Sequence, residues 1–291
     1  MVDSYQDTPL PDEALAAQYV PYDKRKLSYA NTFPNPWKAT TIRTMEWLTG
    51  KFWLLRLIRR FEAEGIAEGQ AFWPQALRHM GIAVQTPNDE VTRIPAKGPV
   101  IIVANHPHGL VDGMVLAEMI GRVRQDYKIL TRSLLTEVEE VKSFMIPVPF
   151  PHEEGAIEKS LEMRKRAMAH LENDGAIVIF PSGVVASSDT MFGGVVEREW
   201  NPFTGKMILR SNAMVVPIYF PGRNSRLYQI ANQISATMRQ GLLIHEVVGA
   251  LNKPQRPIIG NPIDRDAIGQ WKDNPRGFVG WLREETLKLK P

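Results

Sequence analysis

Cysteine is missing altogether from the 291 residues. That removes thiolate nucleophiles, disulfide frameworks and cysteine-held metals in one step. Compartment stays open on this count, because a cysteine-free chain is at ease in reducing or oxidising surroundings. Long apolar runs are missing too. No window approaches the ~18 uninterrupted apolar residues of a spanning helix. The opening Met1-Val2-Asp3-Ser4-Tyr5-Gln6-Asp7 has neither a basic n-region nor an apolar h-region, so no secretory signal is expected and the cytoplasm is the default. There is no block of five or six like charges and no RNA- or DNA-binding signature, so no nucleic-acid partner is expected. The formal charge of +3 favours anionic surfaces such as phospholipid headgroups only mildly. His79, His152, His170 and His245 are scattered, and HExxH spacing is absent, so no metal is expected. No internal repeat or low-complexity tract occurs.

What is present is an ordinary folding composition, 44% hydrophobic and 23% charged, enough for one large domain or two small ones. Residues 1 to about 35, rich in Pro, Asp, Tyr and Asn, read as an extended arm. From Thr41 to Phe61 the pattern is helical. At 100° per residue Trp47, Trp53, Leu54, Leu57, Ile58 and Phe61 share one side and Arg56, Arg59 and Arg60 the other. Phe52 falls among the arginines, Leu55 sits on the border, and Gly50 is placed to bend the segment. Such a helix suits either a membrane interface or packing on a protein body with a solvated arginine face. A second helix is predicted from Gly69 to Met80, closed by Gly81.

Beyond Pro95 short apolar runs alternate with helical stretches. The runs are 99–104, 128–130, 176–180 and 213–220. The helical stretches are Gly113–Arg124, Ile157–Glu172 and Thr204–Arg210. This order predicts an α/β domain with a mostly parallel central sheet flanked by helices. The chain divides as residues 1–90, an N-terminal arm with an amphipathic helical segment facing a membrane, and 91–291, a catalytic domain.

The first apolar run leads straight into Asn105-His106-Pro107-His108-Gly109-Leu110-Val111-Asp112. In open α/β sheets, sites form where loops leave the carboxyl ends of strands. A carboxylate on one imidazole nitrogen fixes the tautomer and supports the charge as the other nitrogen takes a proton, which is what a general base needs. The plainer possibility is that His106 or His108 caps backbone groups at a turn. The run at 176–180 ends in Phe180-Pro181-Ser182-Gly183, a tight turn able to present N–H groups to an anion, or simply a strand-to-loop turn. Ser182 lacks a G-x-S-x-G setting, so a serine hydrolase is the weakest reading. Arg132 and Arg198 have forks suited to phosphate or carboxylate, whereas Arg210 and Arg223 read as surface ion pairs.

In combination these segments resemble the glycerolipid (1-acylglycerol-phosphate type) acyltransferase superfamily, and more closely its hemolysin-like, ornithine-lipid-synthase branch in bacteria. The matching blocks are ANHPHGLVDG (104–113), LTRSLL (130–135), IFPSGVVASS (179–188), REWNPFTGKM (198–207), VVPIYFPGRNS (215–225) and IIGNPI (258–263). A lead-in, Leu27-Ser28-Tyr29-Ala30 and then Glu46-Trp47-Leu48-Thr49-Gly50, is similar to that branch as well. The resemblance implies transfer of a fatty acyl group from acyl-CoA or acyl-carrier protein, as co-substrate, to a lyso-lipid such as lysophosphatidate or a lyso-aminolipid. No resident cofactor is implied. His106 would be the base and Asp112 its orienting acid. Asn105, His108, Gly109, Arg132, Phe180, Pro181, Ser182, Gly183 and Arg198 would contact substrate. A peripheral location on the inner face of the bacterial cytoplasmic membrane follows.

Two departures stand out. His106 and Asp112 have five residues between them, one more than is usual, which leaves His108–Asp112 as a rival pair. The third block, usually Phe-Pro-Glu-Gly-Thr-Arg, has Ser182 and Val185 in place of Glu and Arg, so either Arg198 would stand in for the missing cation or the acceptor would be a lyso-aminolipid. A lipid-binding protein that keeps the fold without catalysis is the alternative reading.

Overall fold

The structure, a computed structural model, describes residues 27–132, 134–149 and 153–291. Residues 1–26 of the expected arm, Ser133 and His152 lie outside the described residues. The strands are β1 (Val100–Ala104), β2 (Tyr127–Thr131), β3 (Met145–Pro147), β4 (Ala176–Ile179), β5 (Ser187–Ser188), β6 (Val195–Val196), β7 (Met214–Tyr219) and β8 (Ile258–Ile259). The helices are α1 (Pro36–Glu46), α2 (Phe52–Glu64), α3 (Phe72–His79), α4 (Asn88–Val91), α5 (Leu110–Gly121), α6 (Ala156–Glu172), α7 (Pro202–Arg210), α8 (Arg226–Ile234), α9 (Ala236–Gly241), α10 (Leu243–Ala250), α11 (Arg265–Gly269) and α12 (Pro275–Leu287).

β1 consists of Val-Ile-Ile-Val-Ala, every residue buried. An apolar run of this kind needs cover on both faces, and it receives it at the centre of a six-stranded sheet of order β3-β2-β4-β1-β7-β8. β1 runs parallel to β4 and β7, and β2 runs parallel to β3 and β4. Only β8, paired to β7, is antiparallel. Val100, Ile102 and Ala104 face one core, with α5, Trp73 and Phe61. Ile101 and Val103 face another, with Met163 of α6, Met207 of α7 and Phe278 of α12. The result is the three-layer arrangement expected, with the predicted strands and body helices within a few residues of their places. β3, β8 and the β5–β6 hairpin are too short to leave a periodic signal.

Helix starts follow local chemistry. Asn35-Pro36, Asn201-Pro202 and Asn274-Pro275 each put an asparagine oxygen on an N–H of the first turn and a proline at the first helical position, where its missing donor costs nothing.

The single helix expected over 41–61 needs correction. It is two helices separated by a kink within Trp47–Lys51, at the Gly50 that was placed to bend the segment, whose φ of 157° and ψ of −10° are not helical. Gly50 lets the backbone press on α10, where a Cβ would fall 3.0 Å from Val248 Cγ2, and His245 Nδ1 bonds Thr49 O at 2.9 Å. The kink splits the expected apolar face. Leu54, Leu55 and Phe61 enter the core, while Trp37, Trp47, Leu48, Phe52 and Trp53 are each more than half exposed. Beneath the kink, fully buried Glu46 accepts from Ser28 Oγ (2.7 Å) and Tyr29 N (2.8 Å) and pairs with Lys51 at 3.4 Å. The two halves of the lead-in motif therefore clasp each other.

α7 meets α12 through Gly205. A Cβ there would lie 2.7 Å from Pro275 O and 2.9 Å from Val279 Cγ1. Gly205→Ala is expected to destabilise the protein by about 1–3 kcal/mol through overpacking against backbone, despite alanine's better helix propensity. Thermal or urea unfolding measures it.

Candidate active site

The loop leaving β1 is held by its neighbours before any catalytic group is placed. Buried Asn105 bridges two strand ends, its Nδ2 donating to Phe220 O (2.9 Å) and its Oδ1 accepting from Phe220 N (2.6 Å). His106 N donates to Glu197 Oε2 (3.1 Å), and Ala186 N donates to His106 O (2.8 Å). Gly109, at φ 76°, turns the chain into α5 in a conformation open mainly to glycine.

One turn into α5 stands Asp112, fully buried. Its carboxylate accepts four contacts: His106 Nδ1 at 3.0 Å, His108 Nδ1 at 3.0 Å, His108 N at 2.8 Å and Gly109 N at 3.2 Å. Both candidate histidines thus share one acid, and the choice between them was not a choice. Burial by itself would raise the Asp112 pKa. The His108 charge and the hydrogen bonds from His106 and His108 outweigh it and hold the group below the usual carboxylate range. For His108 burial opposes the charged form, yet the Asp112 charge, their hydrogen bond and Glu246 raise it above the ordinary imidazole value. The carboxylate therefore favours the protonated form of His108.

The two rings differ in surroundings. His106 stacks on Phe180, centroids 3.9 Å apart and planes 23° apart. With Nδ1 on the carboxylate, its Nε2 is the nitrogen left for a substrate. The outer nitrogen of His108 abuts Gly222, where a Cβ would lie 2.6 Å from it.

His106 and His108 line a cleft of about 820 Å³ across the carboxyl ends of the strands. Gly109, Arg132, Phe180, Pro181 and Gly183 also line it. Asn105, Ser182 and Arg198 are not on its wall. Asn105 splices β1 to β7. Ser182 Oγ donates to Val184 O at 2.9 Å. Arg198 is engaged in the β5–β6 hairpin, with Ser187 Oγ (3.0 and 2.7 Å), Ser188 O (3.3 Å) and Asp189. Most of the remaining wall is apolar, including Ile157 and Leu161 of α6, Val185 and Leu243.

Sequence reasoning missed Glu197. Buried, it accepts from His106 N and, at 3.0 Å, from Trp200 Nε1, and burial pushes its pKa up. The signal was present as Glu197-x-x-Trp200, starting one residue before the REWNPFTGKM block, but the pairing crosses 91 positions. Tyr228, also on the cleft wall, is pushed up to about 12 by burial, against the opposing field of Arg239.

A sheet of this order, with an acid-held imidazole at its rim, is the setting of a group-transfer enzyme. The sequence matches the acyltransferase family over residues 53–256, and the chain belongs to that family. It is similar to lyso-glycine lipid O-acyltransferase of Phocaeicola vulgatus, 26% identical over 203 residues that cover 67% of this chain and 70% of that protein. The protein of the same name from Bacteroides thetaiotaomicron is 27% identical over 207 residues, 68% and 73% of the two chains. Among solved structures, the 1-acyl-sn-glycerophosphate acyltransferase PlsC of Thermotoga maritima is similar at 13% identity and a TM-score of 0.48, covering 76% of this chain and 78% of that one.

The opposite shifts of Asp112 and His108 give two pH limbs. The stabilisation from Asp112 is present above its ordinary pKa of 3.8 and is lost as pH falls through its lower folded value. That from His108 is present below its ordinary 6.5 and is lost as pH rises through its higher folded value. Thermal unfolding across pH should show Asp112→Asn flattening the acid limb and His108→Gln flattening the limb above 6.5.

Proposed function

We propose that this acyltransferase moves a fatty acyl group from acyl-CoA or acyl-carrier protein to a hydroxyl or amine of a lyso-lipid, with His106 as general base and Asp112 as its orienting acid. The observation that carries this reading is the contact of His106 Nδ1 with a fully buried carboxylate while the ring stands at the wall of a large, mostly apolar cleft. The name shared by the two bacterial relatives supports a lyso-lipid acceptor.

In the proposed step, His106 Nε2 removes the acceptor's proton as the acceptor oxygen or nitrogen attacks the thioester carbonyl. The carbon–sulfur bond breaks, and the proton passes to the departing sulfur. No acyl-enzyme forms. His108 Nδ1 engages the other oxygen of Asp112, so the carboxylate is held in place as it orients His106. Arg132, Phe180, Pro181 and Gly183 form the substrate wall, and Glu197 holds the histidine loop.

Purified protein given acyl thioester and lyso-lipid should release free thiol. His106→Ala should lower kcat by about 100- to 10,000-fold while the protein stays folded. A comparable loss that follows only His108→Ala would give the base to the rival imidazole. Lipid binding without thiol release, unchanged in His106→Ala, would instead mark a lipid-binding protein of the same fold.

The same reading assigns residues 1–90 to the membrane-facing part and 91–291 to the catalytic part, with the enzyme peripheral on the inner face of the bacterial cytoplasmic membrane. No helix among the described residues is long and apolar enough to cross a membrane. The exposed Trp37, Trp47, Leu48, Phe52 and Trp53, with Arg56, Arg59 and Arg60 one turn further on, suit an interfacial seat. Cosedimentation with anionic liposomes should weaken as salt is added. The double variant Trp47→Ser/Trp53→Ser should lower partitioning by about tenfold or more. Protein left in the supernatant at low salt overturns the membrane seat.

A further inference from the structure

The charge of the cleft is one-sided. Among its described lining residues are three arginines, Arg132, Arg164 and Arg239, and neither Asp nor Glu. They do not sit together. Arg132 follows β2 and Arg164 lies on α6, whose buried residues Met163 and Ala167 belong to the core on one face of the sheet. The Arg164 guanidinium lies over the Phe203 ring at 4.9 Å. Close by, at the start of α7, Thr204 Oγ1 is fully buried on the cleft wall without a hydrogen-bond partner.

Arg239 lies on α9, after β7, beyond the His106 loop. Its surroundings are Tyr228, Leu242, Met45 and Val185, a separate apolar cluster. Val185 holds the place where the resemblance led to an arginine being expected, and its Cγ2 would lie 3.3 Å from a Cβ on Gly109. One nitrogen of Arg239, Nη1, donates to Asn232 Oδ1 at 3.0 Å. That contact fixes the plane of the fork and leaves its other edge for a ligand.

A direct acyl transfer brings two substrates to one imidazole, and a mostly apolar cleft whose arginines come from separate elements, α9 on one hand and β2 and α6 on the other, suits two amphiphiles meeting head to head. We propose that Arg239 reads the anionic headgroup, carboxylate or phosphate, of the lyso-lipid acceptor, and that the thioester donor enters from the Arg132 and Arg164 side. The inference rests on the acyl-transfer reading and adds a direction to it. α9 packs directly under α1, with Gly241 against Met45, and α1 with the kinked turn after it carries the exposed Trp37, Trp47 and Leu48. The cleft wall on this side includes Tyr29, whose segment packs on α1 and α9, together with Arg239.

The test is steady-state kinetics of wild type, Arg239→Gln, Arg239→Lys and Arg164→Gln, varying donor and acceptor separately. Acceptors are a glycine-headed lyso-lipid, lysophosphatidate and an uncharged monoacylglycerol. Arg239→Gln should raise KM for the charged acceptors by about 10- to 100-fold, the range for one hydrogen bond to a charged group. KM for the thioester and for the uncharged acceptor should hold. Arg239→Lys should fall between, since it keeps the charge and loses the fork. Arg164→Gln should raise KM for the thioester instead. The acceptor more affected by Arg239→Gln tells carboxylate from phosphate. Equilibrium binding of each lyso-lipid without thioester gives the same comparison even if no acyl transfer occurs, which separates failure of this inference from failure of the activity. A thioester KM that rises in Arg239→Gln, equal losses for charged and uncharged acceptors, or unchanged charged-acceptor affinity in a folded variant overturns it.

Discussion

A single buried carboxylate organises the centre of this protein. Asp112 sits at 0% exposure, where an isolated charge is untenable. It is tolerated because four donors converge on it, two from imidazole rings and two from the backbone that turns into α5. The same contacts that stabilise the charge fix both rings and the loop between them. Removing the acid would free the orientation of His106 and take from His108 the charge that raises its pKa. Chemistry and local folding therefore depend on one side chain.

Around that acid the sheet supplies stiffness. β1 carries the loop from the middle of six strands, where motion is least, and its two faces are packed by separate cores. Asn105 fastens the loop to the end of β7, Ala186 fastens it to the segment after β4, and Glu197 receives its first N–H. Two of these anchors come from the connection between β4 and β7, and the third from the end of β7. The histidines are thus held from both sides while the space in front of Phe180 stays open as a cleft. The N-terminal turn is built by the same logic in reverse: Glu46 is buried to clasp Ser28, Tyr29 and Lys51, and the aromatic residues of that segment are turned outward.

The amount legible in the sequence varied with the range of the interaction. The buried runs of β1, β2, β4 and β7 and helices α5, α6 and α7 announced themselves, since apolar period is a local property. His106, His108, Gly109 and Asp112 were visible because one loop holds them all. Arg132, Phe180, Pro181 and Gly183 line the cleft, each at or just after the end of a readable strand. Arg198 and Ser182 looked equivalent in sequence, yet their side chains are taken by neighbours in the hairpin and turn. The apolar face over 41–61 failed for a different reason. A helical wheel assumes a constant angle per residue, and the kink at Gly50, with a φ of 157°, breaks it.

By itself, then, the sequence determined the layered α/β plan, the loop chemistry after β1 and the family, because these rest on local pattern and on blocks read in order. Tertiary structure alone decided that Asp112 serves both histidines, that Glu197 and Arg239 come to the site from distant segments, and that Trp47 and Trp53 face outward. Glu197 and Arg239 reach the site only after the chain crosses the sheet, whereas the Asp112 contacts span six and four positions and were set by how the loop turns into α5. Contacts between residues 90 or more positions apart leave no spacing in a single sequence to be read.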